Sequence, residues 1–312
     1  MNIDNIDLNK FIEKYIEFVD NISVKYRYES NLKHLLYLIV PAFVIKYDFK
    51  NEKHILKVFE EVPMILSGKE DKIITGAFSR SVIRDGNGFK TIKVIILNEY
   101  RTANLVELLD NIVHEYNHAV NSINNEITYD DKYVKVRTGL SHILYDRKTL
   151  EFVSKSDEVA LEEILNTMQT EEIINIINSF GKKQIDNYEF SSMLYSLKNA
   201  IGKEEFKSTA YRYDSYLTNE LVKNKTFTPT INNLRLNGNV DDIPYLFDNV
   251  LGRDGEYERL NKLLTIIHKK EVEYSKRTLF RNMLLNDIKK DSMKVLNLIR
   301  EYDNKCIFKH TN

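Results

Sequence analysis

Residues that interrupt helices are scarce in this chain. Its 312 residues include only ten Gly and four Pro. Gly and Pro are the strongest local signals for turns and helix ends, so their scarcity predicts a mainly helical protein. Trp is absent, and the single Cys306 excludes an intramolecular disulfide. One thiol favours a reducing compartment, and we therefore expect a cytoplasmic protein.

Long apolar runs and a large net charge are also missing. The longest apolar run, Leu35 to Ile45, contains Pro41 and is too short to cross a bilayer, so it predicts a buried core segment. The N-terminus, from Met1 to Asp7, lacks the basic start and apolar block of a secretory signal. The net charge of −1 argues against a protein that acts mainly by binding nucleic acid.

Common nucleotide-binding and nucleophile motifs are absent as well. The chain has no Gly-rich phosphate loop, no paired CxxC and no Gly-x-Ser-x-Gly elbow. From Glu258 onward, thirteen Lys and Arg stand against seven Asp and Glu. Apolar residues at helical spacing interleave these charges, which favours a solvated helical face over a nucleic-acid surface. On this interpretation His268 and His310 are incidental.

Apolar periodicity predicts helical ends around a middle part with strands. Residues 8–62 carry apolar stripes at helical spacing. Between Lys72 and Leu97, β-branched runs such as Ile73-Ile74 and 92–97 flank the turn sequence Asp85-Gly86-Asn87-Gly88 and predict a hairpin. The stretches 133–137 and 141–145 flank Thr138-Gly139 and predict a second hairpin.

The second half of the chain returns to helical spacing. Ser156 to Ser179 predicts a helix with Ser156 or Asp157 as its N-cap. Residues 183–222 and 255–303 also predict helices. The Asn- and Thr-rich segment from Asn224 to Asp242 separates them and is interpreted as a linker or a mobile loop over a cleft.

The sequence His114-Glu115-Tyr116-Asn117-His118 carries the clearest chemical signal. His-Glu-x-x-His would arise by chance in roughly one such chain in a hundred. Apolar residues recur at helical spacing from Asn104 to Ser122, without Pro or Gly, so the motif lies on a predicted helix. Residues four apart share a helix face, and both imidazoles can therefore reach one metal ion while the carboxylate lies beside it.

This motif resembles the HExxH motif of zinc metallopeptidases, the zincin superfamily. The resemblance covers about residues 70–180 and implies a zinc ion, a peptide or protein substrate, and Glu115 as the general base for water. Catalytic zinc takes three protein ligands and an open position. The metzincin pattern would place its third His after a Gly, but this chain has Asn121 and Asn124 at those positions.

A gluzincin-like pattern instead implies a Glu on a later helix, and Ala160-Leu161-Glu162-Glu163 supplies two candidates. We favour Glu163 because the stretch resembles the Leu-Asn-Glu sequence of several zincin families. Glu162 is its rival, since adjacent helical residues point about 100° apart and only one of the two can face the metal. Glu158 is a weaker candidate, and His142 and Asp131 are outsiders.

A second electrophile and a partner for the imidazoles complete the expected site. The candidates for stabilising the oxyanion are Tyr145, His142, Tyr133 and Arg137, all on the second predicted hairpin. Asp110, one turn before His114, is the candidate partner for an imidazole.

These observations predict a mainly helical α+β protein with a small twisted sheet. Three regions are expected: residues 1–70 as an N-terminal helical region, 71–180 as a zincin-like catalytic core, and 181–312 as a C-terminal helical region. The resulting hypothesis is a zinc-dependent metallopeptidase of gluzincin type in the cytoplasm of a bacterium. The alternative is a binding or regulatory protein that keeps the zincin scaffold without turnover. A third possibility is a regulator that binds nucleic acid through the basic C-terminal helices. The sequence carries no signal for the oligomeric state.

Overall fold

The structure is a computed structural model, and it describes residues 7–67, 76–98, 104–156, 158–181, 188–202, 205–208, 217, 220–221, 223–276 and 281–310. Those residues form ten α-helices and seven strands in a mainly helical α+β fold, which confirms the predicted fold class. The strands make two small sheets where one was expected, with orders β1-β3-β2 and β4-β5-β6-β7.

The elements follow one another along the chain in a simple order. The N-terminal part contains α1 (Leu8–Tyr26), α2 (Ser30–Tyr47), α3 (Glu52–Glu61), β1 (Met64–Ser67), β2 (Gly76–Asp85), β3 (Gly88–Asn98) and α4 (Leu105–Val120). The middle contains β4 (Ile127–Tyr129), β5 (Tyr133–Thr138), β6 (Ser141–Asp146), β7 (Phe152–Lys155), α5 (Val159–Phe180) and α6 (Tyr188–Ile201). The C-terminal part contains α7 (Phe227–Asn237), α8 (Ile243–Leu251), α9 (Glu256–Lys276) and α10 (Arg281–His310).

Contacts within the chain define two compact units. The first comprises residues 1–81, 91–120 and 169–210, and the second comprises residues 82–90, 121–168 and 211–312. The division therefore falls inside α5, after Met168. The three regions expected from the sequence remain a prediction.

Helix α2 forms the centre of the first unit. Its residues from Leu35 to Ile45 are all buried, as the apolar run predicted. Helices α1, α3 and α6 all contact it, and α1 contributes a single buried stripe that includes Phe11, Tyr15 and Val19. Strand β1 pairs with β3 in parallel, with Met64 opposite Ile95. Burial on all sides explains why α2 has an apolar sequence without amphipathic character.

The second unit combines the antiparallel sheet β4–β7 with the C-terminal helices. Strands β5 and β6 form the predicted hairpin, and Gly139 in its turn has a φ of 54°, a conformation that favours glycine. The core beneath contains residues from the first turns of α5 and from α7 to α10, including Leu161, Leu165, Phe227 and Phe247.

Several local predictions are corrected by the structure. The segment Asn224–Asp242, interpreted as a linker or mobile loop, contains helix α7 and a 3-10 turn, and its Arg235 is completely buried. Strands β1, β4 and β7 were not predicted. Helix α5 begins at Val159, and the Ser156 hydroxyl accepts a hydrogen bond from the His142 amide on β6. The alternative cap, Asp157, and the predicted strand start at 73–74 lie outside the described residues.

The first predicted hairpin has its turn where expected. Strands β2 and β3 are neighbours in the three-stranded sheet and are joined through Gly86 and Asn87. Among the described helices, none combines the length and the apolar character that crossing a membrane requires.

Candidate metal centre

Helix α4 is fixed at both of its ends by side chains. The Asn104 side-chain oxygen accepts a hydrogen bond from the Glu107 amide at 2.8 Å, which is the geometry of an N-cap. At the other end, Nε2 of His54 lies 2.9 Å from the carbonyl oxygen of Val120 in the last turn. The groups that a helix leaves unpaired at its ends are thus partly satisfied, and the helix has a defined start and stop.

The middle of α4 is anchored by Tyr116 and Asn117. The Tyr116 hydroxyl donates to the Val62 carbonyl at 3.0 Å, and complete burial raises the pKa of this phenol well above its usual value. The Asn117 side chain accepts from the Tyr47 hydroxyl at 2.8 Å and donates to the Thr170 hydroxyl at 3.1 Å. These contacts hold the rotation of the helix and therefore the direction in which its other residues point.

His114 and His118 lie one turn apart on the same face of α4. Each is only 6% exposed, and their ring centroids are 4.9 Å apart with an interplanar angle of 81°. The prediction that the motif lies on a helix with both imidazoles on one face is confirmed. Two nitrogen donors are thus close together in a place from which most water is excluded.

Glu115 is held by the backbone at the start of β2. One of its carboxylate oxygens accepts a hydrogen bond from the Phe78 amide at 2.6 Å. The other lies close to Gly76, where a Cβ atom would stand 3.2 Å from Oε1. A glycine at this position leaves room for the carboxylate, whose direction is set by the strand rather than by solvent.

The structure brings His114, His118 and Glu163 together. One ligand atom from each of these residues lies within 4.8 Å of the other two. Both imidazoles are buried and the carboxylate is partly buried. Two nitrogens and one carboxylate oxygen are a donor set that zinc uses in catalytic sites.

The rival Glu162 has a different set of partners. Its carboxylate binds Arg235 of α7 through two contacts, Nη2 to Oε1 at 2.5 Å and Nε to Oε2 at 2.9 Å. It also accepts a hydrogen bond from the Leu140 amide at 2.7 Å. A Cβ atom on Gly139 would lie 2.0 Å from Oε2. The Glu162 carboxylate is therefore part of a buried ion pair, whereas the carboxylate of its neighbour Glu163 lies close to the two histidines.

The remaining ligand candidates lie elsewhere. Asp131 is fully exposed in the turn before β5, where it lies 3.6 Å from Arg147. Glu158 and His142 do not belong to the His114 group either. His142 is half-buried on β6, and burial, followed by the positive charge of Lys135, lowers its pKa below the usual value.

Arg137 has a structural role instead of the proposed electrophilic one. Its side chain is 2% exposed and donates to the carbonyl groups of Asn121 at 2.7 Å, Gly139 at 2.6 Å and Arg235 at 3.1 Å, and also to that of Asn124. A guanidinium committed to four backbone carbonyls is not free to meet a substrate. Tyr145, on β6, and the exposed Tyr133, on β5, remain candidates.

Asp110 is buried and bonded to a residue that the sequence did not single out. Its two carboxylate oxygens lie 2.9 and 3.0 Å from the Ser208 hydroxyl, which donates to them. The amide of Ser208 in turn donates to Glu171 of α5 at 3.0 Å. The short segment 205–208 thus ties α4 to α5 within the first unit. The proposed contact of Asp110 with an imidazole stays a prediction.

Sequence reasoning missed two further residues of interest. Arg235 was hidden in a segment interpreted as a loop, although Phe227, Ile231 and Leu234 recur there at helical spacing. His268 on α9 was considered incidental. Burial lowers the pKa of His268 below its usual value, and the negative charge of Glu163 opposes that shift, which puts this imidazole within electrostatic range of the Glu163 carboxylate.

Comparisons with known proteins add no family assignment. No protein-family model matches the chain, and neither a curated protein nor a solved structure matches it.

Proposed function

We propose that this chain is a zinc-dependent peptidase of the gluzincin type. The observation that carries the proposal is the group formed by His114, His118 and Glu163, with Glu115 on the same helical turn as the histidines. The residues supply three ligands and one base. A peptide or protein substrate follows from the resemblance of the motif to zinc metallopeptidases.

The donor atoms match those of a zinc site in number and type, and their spacing is close to that of a tetrahedral site. Zinc binds imidazole nitrogen and carboxylate oxygen at roughly 2.0–2.2 Å, so the ligand atoms of a tetrahedral site lie about 3.4 Å apart. The three atoms here lie within 4.8 Å of one another. Small side-chain adjustments, by about 1.4 Å at most in any one separation, would complete the site. Both imidazoles are buried, and imidazole nitrogen is the commonest metal ligand in proteins.

Zinc in this group would acidify water and polarise a carbonyl group. Glu115 then accepts a proton from the water molecule whose oxygen attacks the carbonyl carbon of the peptide bond. As the carbon–nitrogen bond breaks, the same carboxyl group gives that proton to the departing amine. The hydrogen bond from the Phe78 amide keeps the Glu115 carboxylate in one orientation during both transfers.

The negative charge that develops on the carbonyl oxygen needs a donor. His142 and Tyr145 are the proposed groups. Since burial lowers the pKa of His142, its imidazole is neutral near pH 7 and can donate one N–H. Tyr145 can donate its phenolic O–H.

The test combines metal content with cleavage. Purified protein should bind one zinc per chain, and cleavage of a degenerate peptide library should stop after chelation and return with zinc. Glu115→Gln should lose cleavage, by roughly a hundredfold or more, while it keeps zinc and fold, because only the base is removed. Glu107→Gln, a substitution in the first turn of the same helix, is the matched control and should cleave like the wild type. Cleavage that survives chelation would contradict the proposal.

A zincin scaffold without turnover is the second candidate. One observation favours it: a carboxylate oxygen of Glu115 already accepts a backbone amide at 2.6 Å, so part of the base is used structurally. Stoichiometric zinc without cleavage of any library peptide would support this second candidate. Cleavage that depends on Glu115 would exclude it.

A further inference from the structure

The ion pair between Glu162 and Arg235 is unusual because it is completely enclosed. The side chain of Arg235 is 0% exposed and that of Glu162 is 2% exposed. The guanidinium contacts the carboxylate through Nε and Nη2, and the Leu140 amide supplies a third donor. Gly139 packs against the carboxylate so closely that no side chain could replace it. Glu162 is therefore held by three hydrogen-bond donors and by the hairpin turn.

Arg235 is itself held on a fixed helix. The Nη1 group of Arg235 donates a hydrogen bond to the Asn232 side chain at 3.1 Å. The backbone carbonyl of Arg235 accepts a hydrogen bond from Arg137 at 3.1 Å. The next carbonyl, that of Leu236, accepts from the Asn124 side chain at 2.7 Å. The end of α7 is thus hydrogen-bonded to the segment that follows α4. These bonds restrict the position of the Arg235 guanidinium.

Stability alone does not account for such a pair. Removing two charges from water is costly, and apolar residues of similar volume often stabilise a protein as well as a buried pair does. A buried pair does, however, define geometry, because both side chains must meet in one arrangement. The geometry in question is that of the first turns of α5.

We propose that Arg235 is a positioning residue for the metal centre. By holding Glu162, it fixes the rotation of α5, and since the next residue points about 100° away, it fixes the direction of Glu163 toward His114 and His118. This inference rests on the proposed function, since it concerns a ligand of the same site. Arg235 touches neither metal nor substrate in this role.

The test replaces the pair without leaving a buried charge. In the 312-residue chain, Glu162→Met combined with Arg235→Met removes both charges and keeps similar volumes, and urea unfolding followed by circular dichroism checks the fold. Zinc affinity is then measured by competition with a chromophoric chelator. We expect the affinity to fall 10–100-fold, which is the usual effect of removing groups that orient ligands. The control replaces both Lys270 of α9 and Asp291 of α10 with Met. These residues form another ion pair, with Nζ and Oδ2 2.6 Å apart, and the control should keep the wild-type zinc affinity.

The conservative variant Arg235→Lys keeps the charge but loses the two-point contact, and it serves if the double variant does not fold. A folded Arg235→Lys protein should bind zinc several-fold more weakly than the wild type. Wild-type affinity in a folded variant of either kind would overturn the positioning role and leave the proposed function intact. A wild-type protein that binds no zinc would overturn the proposed function, and the positioning role with it.

Discussion

Replacing Gly139 by Ala should destabilise the protein far more than the loss of one glycine suggests. Gly139 has a φ of 54°, and a Cβ atom there would lie 2.0–2.2 Å from the Glu162 carboxylate. A non-glycine residue in this left-handed region costs about 1–2 kcal/mol. The larger effect comes from the carboxylate, which must move away from Arg235 or push the hairpin turn aside. Breaking a buried ion pair costs roughly 3–5 kcal/mol.

Gly86→Ala provides the matched control, because Gly86 has a φ of 58° and no atom within 4 Å of the added Cβ. It should show the backbone cost alone. We expect the free energy of unfolding, from urea titration followed by circular dichroism, to be lower for Gly139→Ala than for Gly86→Ala by about 3 kcal/mol. Equal losses in the two variants would refute the close packing of Glu162 on the hairpin turn.

Two further predictions concern the supports of the site. Asn117→Ala should lower the free energy of unfolding by about 2–3 kcal/mol, since the Tyr47 and Thr170 hydroxyl groups lose a partner in a buried place; a loss below about 0.5 kcal/mol in urea unfolding would contradict this. His142→Gln should flatten the dependence of stability on pH. Burial lowers the pKa of His142 from 6.5 in the folded state, so the unfolded state takes up a proton first as the pH falls, and wild-type stability declines below about pH 7. Urea unfolding at pH 7.5 and pH 5.0 measures this, and an unchanged pH dependence in the variant would refute the assignment.

Local sequence patterns predicted the parts of the protein that depend on near neighbours. The spacing from Leu105 to Val120 predicted α4, and a motif of five residues predicted two imidazoles on one face. Glycine signals predicted the turns of both hairpins. In each case the residues that determine the structure lie within a few positions of one another, so a single sequence contains the information.

The parts that failed depend on partners far away in the chain. Glu162 and Arg235 are separated by 73 positions, and nothing near either residue indicates that the other is its partner. Helix α7 was missed because its polar composition suggested a loop, although Phe227 and Ile231 shared a face. Strand β7, with four exposed residues, lacks the alternation that marks a half-buried strand and forms only because β6 offers it a neighbour.

A contact between residues far apart in the chain also distinguishes Glu163 from its rival Glu162. Resemblance favoured Glu163 over Glu162, but the periodicity of α5 could not separate two adjacent acids. The contact of Glu162 with Arg235 and Leu140 supplies the physical reason that one carboxylate is occupied. Arg137 was a candidate electrophile because of its place on a predicted strand. The strand pattern did not indicate the four carbonyl groups to which its side chain donates.

The burial of α2 has a consequence for folding during synthesis on the ribosome. Helix α2 is apolar on every side, and one of the helices that pack on it, α6, begins about 150 residues later in the chain. At a synthesis rate of about 5–20 residues per second, α6 is synthesised roughly 7–30 s after α2. During that interval the apolar surface that α6 will cover is exposed, and transiently exposed apolar surface favours aggregation. Fragments that end before residue 188 lack α6 and leave exposed the part of α2 that α6 covers, although α1 and α3 are present to pack on the rest.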